Sequence, residues 1–413
     1  MGFQTGLSGL NAASQSLDVI GNNVANAATV GFKESRTLFS DVYANSLSGS
    51  GANQVGLGVK VAAIEQQFTQ GAISTSNNPF DVAINGKGFF RLDDNGATFY
   101  SRNGEFHLDN AGNMVTSEGF KVSGYGVDAS GNIVPTSPIP LQFSSAQLAP
   151  TPTANFRASF NLDSREAVPT TALFNEADPT SYNDSTSGTV FDTLGNPHVF
   201  TQYFVKTAVA GQWALHATVD GTPPANIDLG AGAGNPINVD FNSNGVLTTA
   251  MPIAGVALTI AGGATSPLSL DVDLLGTTQF GANFAVNSLF QDGFASGRLA
   301  GFNMGGDGII VGRYSNGQSR NLGQLVLASF ADPQGLKPLG NNRWEETSDS
   351  GIPVVGTPGS GDLGAVQGAA TELSNVDLTA ELVNMITMQR VYQANAQSIK
   401  TQDSILQTLV NLR

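Results

Sequence analysis

Not one of the 413 residues is cysteine. Disulfides, thiolate zinc sites and thiol catalysis are therefore excluded. Positive charge is scarce as well. The 18 Lys and Arg stand against 33 Asp and Glu, the formal net charge is −15, and only 12% of the chain is charged. So few cations argue against a nucleic-acid partner, whose phosphates demand them, and against an anionic membrane surface. No apolar run reaches the length that spans a bilayer, so no membrane insertion is expected. The opening MGFQTGLSGLNAAS lacks the cationic and apolar regions of a cleaved secretory signal. That suits a cytosolic protein, or one exported by a route without a cleaved signal.

Histidine is rare: His107, His198 and His216 lie far apart and form no metal-binding spacing. Each reads as a packed or surface side chain. There is no nucleophile elbow or phosphate loop, and the scattered carboxylates suggest no catalytic pair. Neither an enzyme nor a cofactor or metal site is expected. Gly359, Gly361 and Gly364 spell GxGxxG, but Pro358 and the lack of a βαβ unit make this a turn-rich linker. The GGDG at 305–308 lacks the further oxygen ligands of a calcium loop and reads as a hairpin turn.

What is present begins at the two ends. Phe3, Leu7, Leu10, Leu17 and Val24, with Ala13 and Ile20 alongside, recur at steps of three and four. This is an amphipathic helix with a seam of about 3.5 residues. Gly21, Asn22 and Asn23 weaken its end. Near the C-terminus, Leu378, Met385, Tyr392, Ile399 and Leu406 recur every seven residues. Leu382, Ala396 and Val410 fill the second seam position, which Gln389 and Asp403 interrupt. Ser374 or Asn375 can cap this helix, and Asp377 suits its first turn. Two such helices, paired within one chain, would bury a narrow seam and leave apolar surface wet. Such surface marks association, so both termini are read as self-assembly elements.

The body between them is rich in turns, with 49 Gly and 18 Pro. Residues 79–135 read as short strands, and Asn85-Gly86, Asn95-Gly96 and Asn103-Gly104 each suit a tight hairpin. Residues 155–286 form a second β-rich block, in which TVFDTLGNPHVFTQYFVK reads as strand, Gly195-Asn196 turn, strand. From 294 the chain returns to the style of 79–135, as though one domain were split by an insertion. The fold class is mixed and β-rich: paired, coiled-coil-like N- and C-terminal α-helices, a split all-β domain and an inserted all-β domain.

Three groups of motifs resemble those of the bacterial flagellar rod and hook proteins. They are GLSGLNAASQSLDVIGNNVANAATVGFKESR at the start, FTQGAISTSNNPFDVAINGKGFFRL with YSRNGEFHLDNAGNMV in the body, and SNVDLTAELVNMITMQRVYQANAQSIKTQDSILQTLVNLR at the end. VFDTLGNPHVFTQYFVK and LGQLVLASFADPQGLKPLGNNRWEETSDSG are similar to the hook members. The distal rod members are much shorter and lack most of 147–286. The resemblance implies four parts: a helical inner tube from 1–30 and 374–413, a linker region of 31–71 and 360–373, a split β domain of 72–146 and 287–359, and an inserted outer β domain of 147–286. It implies a curved, flexible tube outside the cell that carries torque as a universal joint and encloses an export channel. The implied partners are further copies of the chain, the distal rod protein, the hook-filament junction protein, the hook cap protein and the flagellar type III export apparatus. Asn22, Asn23, Asn26, Gly31 and Phe32 would turn the chain from inner tube to outer wall, and a bulky residue at Gly31 should impair assembly if its φ is positive. The loop 46–58 would bridge neighbouring subunits. The rival readings are a distal rod protein and, from another class, a secreted β-rich glycan-binding protein or enzyme.

Overall fold

A computed structural model describes residues 2–42, 56–143, 147–221 and 227–411. The chain divides into two compact units. The first comprises Met1–Ser145, Gly301–Arg313 and Ser319–Arg413, and the second Ala146–Ala300 with Tyr314–Gln318.

The first unit holds both helices, α1 (Gly2–Ala25) and α2 (Leu378–Asn411). The Gly-Asn run at 21–23 does not stop α1, which continues to Ala25. There the amides of Asn26 and Thr29 turn back onto Asn22 and Asn26 carbonyls. The cap of α2 is Asp377, whose Oδ1 accepts from the amides of Thr379 (2.8 Å) and Ala380 (3.2 Å). Asn375, expected as a cap, instead donates to the Gln67 carbonyl and accepts from the Glu34 amide. A hairpin of β1 (Ser35–Val42) and β2 (Gly58–Gln66) packs on α1. Most of the expected bridging loop 46–58 lies outside the described residues.

The β body of this unit joins early and late segments, as a split domain requires. Leu327 pairs with Phe90, Trp344 with Tyr100 and Gln324 with Tyr125. Val82–Asn85 pairs with Ala365–Gly368, and Ile73–Thr75 with Ala370–Glu372. One apolar cluster centres on Val82, Ile84, Phe90, Leu92 and Leu325. Another is aromatic: Phe89, Tyr100, Phe330 and Trp344 pack largely edge to face, the favoured geometry for ring quadrupoles.

Of the three Asn-Gly pairs in 79–135, only Asn95-Gly96 forms a two-residue hairpin, with both residues at positive φ. Asn85-Gly86 follows a strand whose partner lies some 280 residues on. Gly104 serves close approach, since a Cβ there would stand 1.7 Å from the Val82 carbonyl oxygen. The GGDG segment turns between Leu299–Met304 and Ile309–Tyr314, and the GxGxxG segment is a turn between Val354–Gly356 and Ala365–Gly368.

The second unit stacks a four-stranded sheet against a six-stranded one. The four are Asp184–Phe191, Pro197–Lys206, Gln212–Val219 and Ile237–Asp240. Their inward side chains, Phe200, Phe204, Trp213 and Leu215, share a core with Phe156, Phe160 and Leu270 of the other sheet. The 192–196 turn forms as expected, with Gly195 at positive φ. The unit's limit differs from the expected 286. Ala285–Gln291 pairs antiparallel with Asn155–Asp163 and so belongs here; a strand follows its pairing partner, which sequence style does not reveal.

Candidate assembly surface

The helices are antiparallel. A Cβ placed on Gly6 would stand 3.0 Å from Ile399 Cγ1, and one on Gly9 would meet the Asn395 side chain at 2.8 Å. At the other end Asn23 Nδ2 donates to Glu381 Oε2 (3.1 Å). The inward line on α1 is Gly6, Gly9, Ala13, Ser16, Ile20 and Asn23, mostly small or polar. On α2 it is Glu381, Met385, Met388, Asn395, Ile399 and Gln402.

The expected seams are thus partly displaced. Met385 and Ile399 lie on the inward line, with Tyr392 beside them at 37% exposure. Leu378, Leu382 and Leu406 are about half exposed. Val410 lies in α2, with its side chain outside the described residues. On α1, Phe3 (48%) and Leu7 (44%) are exposed, while Leu10, Leu17 and Val24 are only partly covered. The physical reason is spacing. Small residues let the helix axes approach, and the adjacent line of bulky residues, about 100° round the helix, is left beside the contact. Val383, Ile386 and Ile405 extend the uncovered surface on α2.

The Asn-rich turn has a definite job. Asn23 is buried, and its amide both donates to the Ser35 carbonyl (2.8 Å) and accepts from the Ser35 amide (2.9 Å). One side chain therefore ties α1, β1 and α2 together. Exposed Asn22 accepts through its carbonyl from Asn26 Nδ2, and Asn26 Oδ1 accepts from the Thr29 hydroxyl. Gly31 has φ +72° and donates its amide to the Glu372 carbonyl. Phe32 is half-buried.

Next to this turn lies a buried ionic node that the sequence did not announce. Lys33 Nζ is 2.7 Å from Glu372 Oε1, and Arg102 Nη1 is 3.3 Å from Glu372 Oε2. All three side chains are essentially inaccessible. Gly71 donates its amide to the same carboxylate, and Lys33 also donates to the Thr69 carbonyl. Burial lowers the proton affinity of Lys33, and the carboxylate of Glu372 opposes that shift. No local spacing could reveal a pair 339 positions apart.

His107 is exposed, and His198 sits between Asp220 (2.6 Å) and Asp192 (3.3 Å). Among the described residues no group of three or more His, Asp or Glu is placed to hold a metal, and no helix is long and apolar enough to cross a membrane.

Comparison with known proteins agrees with this geometry. Four family models match: "Flagella basal body rod protein" over 3–33, "Flagellar hook protein FlgE/F/G D1 domain" over 83–151, "Flagellar basal body protein FlaE D2 domain" over 161–294 and "Flagellar basal body rod FlgEFG protein C-terminal" over 366–412. The chain is 42% identical to the flagellar hook protein FlgE of Salmonella typhimurium, with all of both chains covered. It is 33% identical to that of Treponema pallidum, with 99% of this chain and 98% of the other covered. The crystal structure of Helicobacter pylori flagellar hook protein FlgE2 shares the fold, with a TM-score of 0.50 at 15% identity over 71% of this chain and 99% of that one. With full-length identity of this order and terminal helices that fit the same family, the chain belongs to the flagellar hook protein FlgE family.

Proposed function

We propose that this chain is the structural subunit of the flagellar hook and polymerises through the apolar surface its helix pair leaves uncovered. The observation that carries the reading is the double character of each helix. One line closes the pair within the chain, and a second, with Phe3, Leu7, Leu382, Val383 and Ile386, stays in water. Covering that second line with the helices of other copies would gain roughly 25 cal/mol per Å² of apolar area. Residues 1–30 and 374–413 would form the inner wall of a tube. The rod and the hook-filament junction protein would meet its two ends, a cap protein would guide its growth, and the type III apparatus would export the chain without a cleaved signal. Its role is mechanical rather than catalytic: a bending tube that passes on torque.

Electron microscopy of the purified chain, as concentration and salt are raised, tests this against a chain lacking 1–30 and 374–413. Tubes from the intact chain alone are expected. Tubes from the truncated chain, or an intact chain that stays monomeric even when seeded with hook fragments, would remove the reading.

A further inference from the structure

Residues 164–183 connect the strands Asn155–Asp163 and Asp184–Phe191 without forming helix or strand. They cross the face of the four-stranded sheet that points away from its core. Tyr203 and His216 pair across neighbouring strands on that face, opposite in pleat to Phe204 and Leu215. The ends of the segment are clamped. Lys206 Nζ donates to the Ser164 and Glu166 carbonyls (2.6 and 2.7 Å), and Asn183 Nδ2 donates to the Ala167 carbonyl (2.8 Å). Toward its C-terminal end Tyr182 meets Tyr203 edge-on at 4.9 Å. Its middle is held by Phe174, which stacks on the His216 ring at 4.1 Å with the planes 16° apart and meets Tyr203 edge-on at 5.1 Å. Most other bonds here stay within the segment, as where Ser181 Oγ donates to the Asn175 and Asp178 carbonyls.

His216 Nδ1 is buried with no hydrogen-bond partner. A proton there would place an N–H in an apolar stack with no acceptor. The Phe174 face attracts a cation but supplies no lone pair. We propose that residues 164–183 are an acid-released strap, latched by the neutral His216 ring beneath Phe174 and freed when that ring gains a proton.

Burial alone holds His216 down to about 4, against about 6.5 for a free ring. The released form therefore takes up the proton first, and the latch weakens as pH falls from about 6.5 to 4. The ionisable groups on the packed elements are Arg165, Glu166, Glu176, Asp178 and Tyr182 of the strap, and Asp184, His198, Tyr203, Lys206 and Asp240 of the sheet strands. Asp184, raised to about 6 by burial and then by Glu166 and Asp163, titrates in the same range with the opposite sign.

Leu173 is 82% exposed on the strap, and a chain without cysteine gives L173C a unique thiol for a nitroxide label. With D184N as the parent, so that the opposing titration is absent, electron paramagnetic resonance of the full-length chain should show the mobile fraction, relative to the immobile, rising at least about tenfold between pH 7 and 4. H216F, which keeps a stacked neutral ring, should stay immobile throughout. F174A should be mobile already at pH 8. A label that stays immobile in the parent, the same transition in H216F, or an immobile label in F174A at pH 8 would each overturn the proposal. So would loss of the tryptophan near-ultraviolet circular dichroism together with the transition, measured in a W344F background so that Trp213 alone reports, since that marks unfolding of the core around Trp213. If H216F does not fold, H216L, which also cannot take up a proton, takes its place and must show no transition.

Discussion

Glu372 neutralises two buried cations and accepts a backbone amide as well. Replacing it by Gln leaves Lys33 and Arg102 as neighbouring charges without a counter-ion. Removing one partner of a buried pair typically costs about 3–5 kcal/mol, so E372Q should lower the urea midpoint of the first unit steeply. D362N should leave the midpoint unchanged, because the Lys87–Asp362 pair is three-quarters exposed. Gly31 is constrained twice over: its φ is +72°, and a Cβ would stand 2.6 Å from the Asn103 amide nitrogen. G31V is expected to destabilise the first unit by more than about 1 kcal/mol and to prevent tube formation. Wild-type stability and normal tubes from G31V would refute both statements. The turn at Gly31 was legible in advance, because a Thr-Val-Gly-Phe run after a helix invites a glycine turn. The node beside it was not, since ionic partners brought together by tertiary folding leave no periodic trace.

The two lines on each helix can be separated by experiment. G9L puts bulk into the close approach to Asn395, and should reduce the helical signal of the monomer and its resistance to heat. L382S touches only the half-exposed line, and should leave the monomer's circular dichroism and Tm within error while raising the critical concentration for tubes several-fold. Equal effects on the monomer would show that the lines are not distinct. Heptad counting found helix type, approximate length and one α2 line, which contains Met385, Tyr392 and Ile399. On α1 it picked out the bulky residues, of which Phe3 and Leu7 are exposed, and only Ala13 and Ile20 of that reading face α2, because hydrophobicity scores large side chains. What faces a close partner there is Gly6, Gly9, Ala13 and Ser16, which make room rather than bulk. The turns illustrate the same limit. Asn95-Gly96 is a hairpin because its two strands are neighbours in both chain and sheet, whereas the strand ending at Asn85 pairs with one near the C-terminus.

At the scale of the molecule, the split body was legible from the return of short, turn-bounded strands after residue 294, while the second unit's limit was set by a pairing between Ala285–Gln291 and Asn155–Asp163. That contrast bears on the order in which a chain emerging N-terminus first can acquire structure. The second unit draws its strands from one stretch of about 150 residues and can close as soon as that stretch is free. The first unit cannot: Ile73–Thr75 waits for Ala370–Glu372, and the charge of Lys33 waits for Glu372. Closing so long a loop is slow relative to local pairing. A chain ended after residue 318, which keeps the Tyr314–Gln318 segment of the second unit, should therefore show a cooperative unfolding transition for the second unit and none for the first, by hydrogen exchange. Residues 1–145 would stay pliable until almost the last of the protein has arrived, and the helix pair would then be completed at a single late moment.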